Sequence, residues 1–332
     1  MLATVLASLA FVQPAVAEGL SADRLGVIYN SDEPGSRALA QAYASLRAIP
    51  AENIVGINLT VSEVVAPETF MPARNRVLEQ LPTAVQSLLL VWSKPYAVGC
   101  MSVTSAFAAG YRADFCEPGC AATAVNPLFD TEGWLPADTV GWWPSMLLPT
   151  SDRQLAHNLI TRGIASDATA PSGLVYLVRT DDAARNIRAG GYAATAILLA
   201  DRVRTLELMT PMLRDVPDAI GYFTGAADVA EMPRIHFRPG AVADHLTSSG
   251  GVLFGGNQMS ALAWLAQGAT GSYGSVSEPC NHREKFPDPG VFFEHYLRGD
   301  TLLEAYWKSV AMPGQGLFIG EPLARPYASR RP

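Results

Sequence analysis

Long apolar runs are scarce in this chain. Beyond its first seventeen residues no stretch approaches the roughly 18 uninterrupted apolar residues of a membrane helix, so no stable membrane span is expected. Charge is scarce as well: Asp, Glu, Lys and Arg make up 17%, and 24 Lys and Arg against 31 Asp and Glu leave a net charge of −7. A nucleic-acid partner would need a clustered basic surface and is excluded on this ground. The one basic cluster, Arg325 with Arg330 and Arg331, reads as a solvated tail. Neither G-x-G-x-x-G nor G-x-x-x-x-G-K-[ST] occurs, so nothing points to a nucleotide or other cofactor. G-x-S-x-G is missing too, which removes the usual α/β-hydrolase elbow. So is H-E-x-x-H, and no metal is expected. No internal repeat or low-complexity linker divides the chain.

What is present is apolar mass and many turns: 332 residues, 49% hydrophobic, with 28 glycines and 24 prolines. That suits one large α/β domain with a sizeable core. The opening MLATVLASLAFVQPAVA reads as a secretory signal at residues 1–17. An apolar run from Leu2 to Val12 is followed by Pro14 and the small-x-small site Ala15-Val16-Ala17, although no Lys or Arg precedes the run. The expectation is an exported protein beginning at Glu18, periplasmic or extracellular. Export makes the four cysteines, Cys100, Cys116, Cys120 and Cys280, candidates for disulfides with three possible pairings. Cys116 and Cys120 flank a turn, so a local bridge between them is plausible. Cys100 and Cys280 would then pair with each other or stay free.

Buried strands are expected at Leu25–Tyr29, Asn53–Leu59 and Ser87–Trp92, with helices from Ser31 to Arg47 and from Pro72 to Leu81 between them. This alternation predicts a mostly parallel sheet with helices on both faces. Periodicity lapses over about 94–150, which holds three of the cysteines and Trp134, Trp142 and Trp143; it reads as a disulfide-bearing, loop-rich insertion. Beyond it come a helix at Asp152–Arg162, a strand at Gly173–Arg179, a helical region at Asp181–Arg204 and a strand at Ala219–Thr224. Pro239–Ser249 is ambiguous. A helix at Gln258–Gln267 leads into a small-residue strand at Gly268–Val276. Two helical stretches from Phe292 to Val310 and a last strand at Gly316–Ile319 complete an 18–332 domain.

Open α/β sheets place their chemistry past the carboxyl ends of strands. The segment after Val276, SEPCNHREKFPDP, presents a cysteine, a histidine and several carboxylates at such a position. The sharpest arrangement takes Cys280 as nucleophile, His245 as base, and Glu278 or Asn281 as the orienting group. Ser248, His282, Trp142 and Trp143 then contact the substrate. The structural alternative makes Cys280 half of a disulfide and His245 a satisfied interior histidine. Ser248 or Ser249 with His245 and Asp244 is a serine-type arrangement, against a turn role for the serines. Glu278, His282, Glu284 and Asp288 match no standard metal spacing and read as a solvated loop. The three tryptophans form either a binding platform or packing for the insertion.

Several segments carry a resemblance: VIYNSDEPGSRALAQAYASLRAIPAENIVGINL, CMSVTSAF, HFRPGAVADHLTSSGG, QMSALAWLAQGATGSYGSVSEPCN and LRGDTLLEAYWKSVAMPGQGLFIGEPLARPY. On these the chain resembles an uncharacterised bacterial family of genomes carrying exosortase, the proposed sorting transpeptidase linked to exopolysaccharide production. The resemblance implies an exported envelope protein, but no activity. MSALAWLAQGATGSYGSV and GLFIGEPLARPY also resemble gingipain-like cysteine peptidases of the caspase-type fold. Their base lies in a His-Gly pair, and none of the five histidines here precedes a glycine. Their nucleophile would fall shortly before the Met259 helix, where this chain has Thr247-Ser248-Ser249-Gly250-Gly251. Two functions are therefore expected to compete. One is a cysteine-peptidase-like hydrolase acting on exported protein or surface polymer. The other is a non-catalytic binding or assembly protein of an exosortase and exopolysaccharide system.

Overall fold

A computed structural model describes residues 19–116, 120–134, 137–230 and 232–328; the expected signal at 1–17 and Arg330 and Arg331 lie outside the described residues. Apolar runs rich in β-branched residues become strands. β1 (Leu25–Asn30), α1 (Ser36–Arg47), β2 (Ile54–Ile57), a short β3 (Val64–Val65), α2 (Pro67–Gln80) and β4 (Ser87–Val91) follow the expected alternation. The helix expected at Pro72 begins earlier. Pro67 sits in its first turn and Pro72 lies inside it, giving up one backbone hydrogen bond. The 94–150 segment holds β5 (Ala97–Val98), β6 (Met101–Ser102), α3 (Val103–Ala109), α4 (Ala137–Val140) and β7 (Ser145–Leu148). β7 is a fully buried member of the main sheet, so the insertion ends before it. Four residues are too few to show a periodicity of their own.

The second half runs α5 (Arg153–Ser166), β8 (Leu174–Arg179), α6 (Tyr192–Leu199), β9 (Arg204–Met209), β10 (Val216–Gly225), β11 (Ile235–Leu246), α7 (Leu262–Gln267), β12 (Gly271–Ser275), α8 (Pro289–Leu297), α9 (Leu302–Ser309) and β13 (Gly316–Gly320). Two strands depart from expectation. β9 closes what read as one helical region; it is an edge strand, mostly exposed, with little burial to mark it. β11 resolves the ambiguous segment. Pro239 breaks its pattern because the β10–β11 register shifts between Phe237 and Val242, where a missing N–H is tolerated.

The ten-stranded sheet has the order β2-β1-β4-β7-β13-β12-β11-β10-β8-β9. β13 is parallel to β7 and antiparallel to β12; every other pairing in this sheet is parallel. The sheet is therefore two parallel halves running in opposite directions, with their carboxyl ends on opposite edges. A large apolar core that includes Trp307, Phe292 and Phe318 joins both halves, and a second around Trp264, Tyr222 and Ala243 fills the other face of the β8–β12 half.

Capping sets the helix entries. Asp152 and Asp288 accept backbone N–H groups of α5 and α8, and Thr301 forms a capping box with Glu304 on α9. The end of β13 is pinned to α1 by Glu321, fully buried, which accepts from the Tyr43 hydroxyl at 2.7 Å and pairs with Arg47. Arg325 is not simply solvated: its side chain donates to the Gly299 carbonyl.

Candidate functional site

The carboxyl ends of β10, β11 and β12 meet at one edge of the second half. There the 277–281 loop turns back over the residues that follow β11, and a depression of about 70 Å³ opens between them. Arg185, Thr247, Ser248, Glu278, Cys280 and Asn281 line it. Small residues permit this approach. A Cβ on Gly251 would stand 2.3 Å from the Gly274 carbonyl oxygen, and one on Gly274 would stand 2.3 Å from the Gly250 carbonyl carbon. The turn after β11 lies directly on β12 because neither position carries a side chain.

The loop is stapled. Cys280 is bonded to Cys120, with a Cα–Cα distance of 5.3 Å, and Cys100 is bonded to Cys116. The local bridge expected between Cys116 and Cys120 is corrected, and with it the expectation that Cys100 and Cys280 pair with each other or stay free. The two cysteines closest in sequence are not those whose Cβ atoms meet. Cys280 holds a positive φ of 55°, and its N–H donates to Glu278 Oε1 at 2.8 Å. His282 Nε2 lies 2.6 Å from the Cys120 carbonyl oxygen, reinforcing the bridge. Gln315 Nε2 donates to the Glu278 carbonyl at 2.5 Å, and Ser277 Oγ donates to the Cys100 carbonyl at 2.8 Å. Asn281 is exposed at the rim.

His245 lies inside the protein, 1% exposed. Trp264 Nε1–H donates to its Nδ1 at 2.9 Å, and its Nε2 lies 2.9 Å from the Met259 carbonyl oxygen. An indole N–H can only donate and a carbonyl can only accept. The ring is therefore the neutral tautomer protonated on Nε2, with both nitrogens engaged. Burial pushes its pKa down to about 4, despite the Met259 hydrogen bond. Neither ring nitrogen of His245 is left open toward Cys280.

Asp244, its neighbour on β11, points to the opposite face, as successive strand residues do. It cannot orient His245. Its carboxylate pairs with Arg188 Nη2 at 2.6 Å, and both side chains are almost wholly buried. Burial pushes the Asp244 pKa up, against the pull of Arg188. Arg188 also donates to the Thr224 carbonyl at 2.9 Å and the Pro287 carbonyl at 3.2 Å, tying β10 to the segment before α8.

The hydroxyls after β11 have partners that the sequence did not suggest. Gln258 Oε1 accepts from Thr247 Oγ1 at 2.8 Å and from both the backbone N–H and Oγ of Ser249 at 2.9 Å. Arg185 Nε donates to Thr247 Oγ1 at 3.0 Å, and Arg185 pairs with Asp182 at 2.6 Å. Ser248 is half-buried on the wall of the depression. Asp182, Arg185 and Gln258 carry no motif; only the fold brings them here. In the loop that matched no metal spacing, Asp288 caps α8 and Glu284 faces Arg283 at 3.4 Å.

The tryptophans form no open platform. Trp142 is 8% exposed and packs edge-on against Phe115 and Trp307; Trp134 is 4% exposed. Trp143 is half-buried beneath the Arg74 guanidinium. Their large apolar faces complete the core where regular structure is sparse.

A second cluster occupies the carboxyl ends of β1, β4 and β7 on the opposite edge. Glu33 accepts from the Ser93 N–H at 2.9 Å, the Lys94 N–H at 3.0 Å and the Thr150 hydroxyl, tying three strand ends together. Burial pushes its pKa up, against these backbone hydrogen bonds.

No family model and no curated protein matches the sequence. A solved structure titled "Structure of Protease" aligns over 93% of this chain and 80% of that chain, at 9% identity and a TM-score of 0.49. No helix among the described residues is long and apolar enough to cross a membrane.

Proposed function

We propose that this chain is an exported, disulfide-stapled α/β protein that binds an exported protein or surface polymer and does not cleave it. One observation carries the reading: the candidate nucleophile and the candidate base of the strand-end site are both engaged. The Cys280 sulfur is bonded to Cys120, and both nitrogens of His245 are engaged by Trp264 and Met259. A thiolate is the reactive form of cysteine, and a disulfide supplies none. All four cysteines are paired, which favours an oxidising compartment. The buried tryptophans of the insertion are not the binding surface. The sequence resemblance supports a partner from an exosortase and exopolysaccharide system.

The test is alkylation of the exported protein without reduction, alongside hydrolysis of a peptide library with and without a thiol reductant. Four unlabelled cysteines and no turnover are expected. Reductant-dependent cleavage that Cys280→Ala abolishes would overturn the reading and restore the hydrolase, with Cys280 as nucleophile and Glu278 or Asn281 beside it.

A further inference from the structure

On the sheet edge opposite the stapled loop, the chain leaves β1 for β2 on one side and reaches β4 on the other. The carboxyl ends of β1 and β4 therefore form a switch point of the strand order, where open α/β sheets take their ligands. Glu33 ties those ends together, and a cavity of about 230 Å³ opens beside it. Gly35, just after Glu33, and Thr150, whose hydroxyl Glu33 accepts, belong to its lining. The walls are α1 and α5. Both helices begin at this edge, and Arg47 at the end of α1 pairs with Asp167 at the end of α5, so the two run side by side.

Gly35, Ala38, Leu39 and Ala42 form one wall, on one face of α1 and its entry. Arg153 and His157 form the other, at i and i+4 on one face of α5. The Arg153 guanidinium lies over the start of α1: its Nε and Nη2 are 3.9 Å from where a Gly35 Cβ would stand. Neither Arg153 nor His157 makes a hydrogen bond or ion pair among the described residues, and no carboxylate lines the cavity. A chain of net charge −7 thus holds an unneutralised cation against an apolar wall.

We propose that this cavity binds a free carboxylic acid with a short branched aliphatic chain, its carboxylate on Arg153 and its chain against Ala38, Leu39 and Ala42. A guanidinium fork matches the two oxygens of a carboxylate, and the His157 imidazole offers a further N–H. A free amino acid fits poorly, because its ammonium would meet no carboxylate in the lining. An apolar cavity of about 150 Å³ holds a benzene-sized molecule, so this one takes about nine non-hydrogen atoms. That encloses a short acid whole and leaves no room for a long acyl chain or a continuing peptide. The site goes beyond the binding reading above and shares no residue with the stapled loop, so the two can fail separately.

The experiment uses the full chain with isotope-labelled alanine methyl groups, followed by NMR as isocaproate is added. The Ala38 and Ala42 resonances should shift together and saturate. Isocaproamide, of the same shape but uncharged, should bind about tenfold or more weakly, and so should isocaproate to Arg153→Ala. Ala42→Leu fills the slot while keeping Arg153, and should abolish binding. Arg153 is exposed and Ala42 half-buried, so both variants should keep the wild-type melting temperature. Arg214→Ala, exposed elsewhere, should leave binding unchanged. No saturable shift, equal binding of the amide, or undiminished binding by Arg153→Ala would overturn the proposal. Tighter binding of a peptide ending in leucine than of isocaproate would overturn it in favour of a peptide carboxyl terminus.

Discussion

Protonation of His245 should destabilise this protein in mild acid. The ring is buried, accepts from Trp264 on Nδ1, and has its pKa pushed down to about 4 by burial, against an ordinary value of 6.5. In the unfolded chain the same imidazole takes a proton as pH falls through about 6.5, while the folded protein resists until about 4. The unfolded state therefore binds more protons across that window, and stability falls with falling pH. The contribution is fully present above pH 6.5. Linkage puts its loss at about 2 kcal/mol by pH 5 and about 3 kcal/mol by pH 4. Losses of that size are a large part of the ~5–15 kcal/mol that holds a domain together.

The assay is urea unfolding at pH 7, 6 and 5 for the wild type and for His245→Gln, whose amide does not titrate. Gln will itself cost stability at pH 7, because it cannot meet both Trp264 and Met259 as the ring does. The quantity to read is the difference between the two proteins, which should shrink by about 2 kcal/mol from pH 7 to pH 5. A difference independent of pH would refute the reasoning. So would an NMR titration of His245 with a midpoint near 6.5, which would also return it to candidacy as a base.

The two disulfides should differ in worth. They close loops with sequence separations of 16 and 160, and the chain-entropy relation makes the long one worth about 2 kcal/mol more; urea midpoints of C100A/C116A and C120A/C280A check this. Asp244→Ala should cost about 3–5 kcal/mol, because it leaves Arg188 charged and unpaired in the core; chemical denaturation at neutral pH is the measurement. Gly251→Ala should cost about 1–3 kcal/mol by driving its Cβ into the Gly274 backbone. Gly250→Ala, with its nearest neighbour at 3.4 Å, should be nearly neutral, and a paired comparison of melting temperatures separates the two.

Sequence alone determined the α/β class and most of the element positions. LGVIY, SLLLV and LVYLV are apolar runs bounded by turn residues, and buried parallel strands need little else to be recognised. Pro50, Pro82 and the Asp152 cap likewise mark helix limits through local backbone chemistry. The strand-end rule directed attention to the loop after Val276, and the structure does bring Glu278, Cys280 and Asn281 together with Ser248 there. Tertiary structure decided the rest. β7 and β9 have too few residues or too little burial for a periodic signal, and only their neighbours make them strands. Nothing local states that Cys280 meets Cys120 across a separation of 160, because disulfide choice depends on which Cβ atoms packing brings within reach. Nor does the His245 sequence context contain Trp264, whose indole fixes the tautomer, or the core that claims Trp142. Periodicity and capping are properties of a few adjacent residues. Thiol pairing, protonation and exposure are properties of residues distant in sequence, and they exist only once the chain has closed on itself.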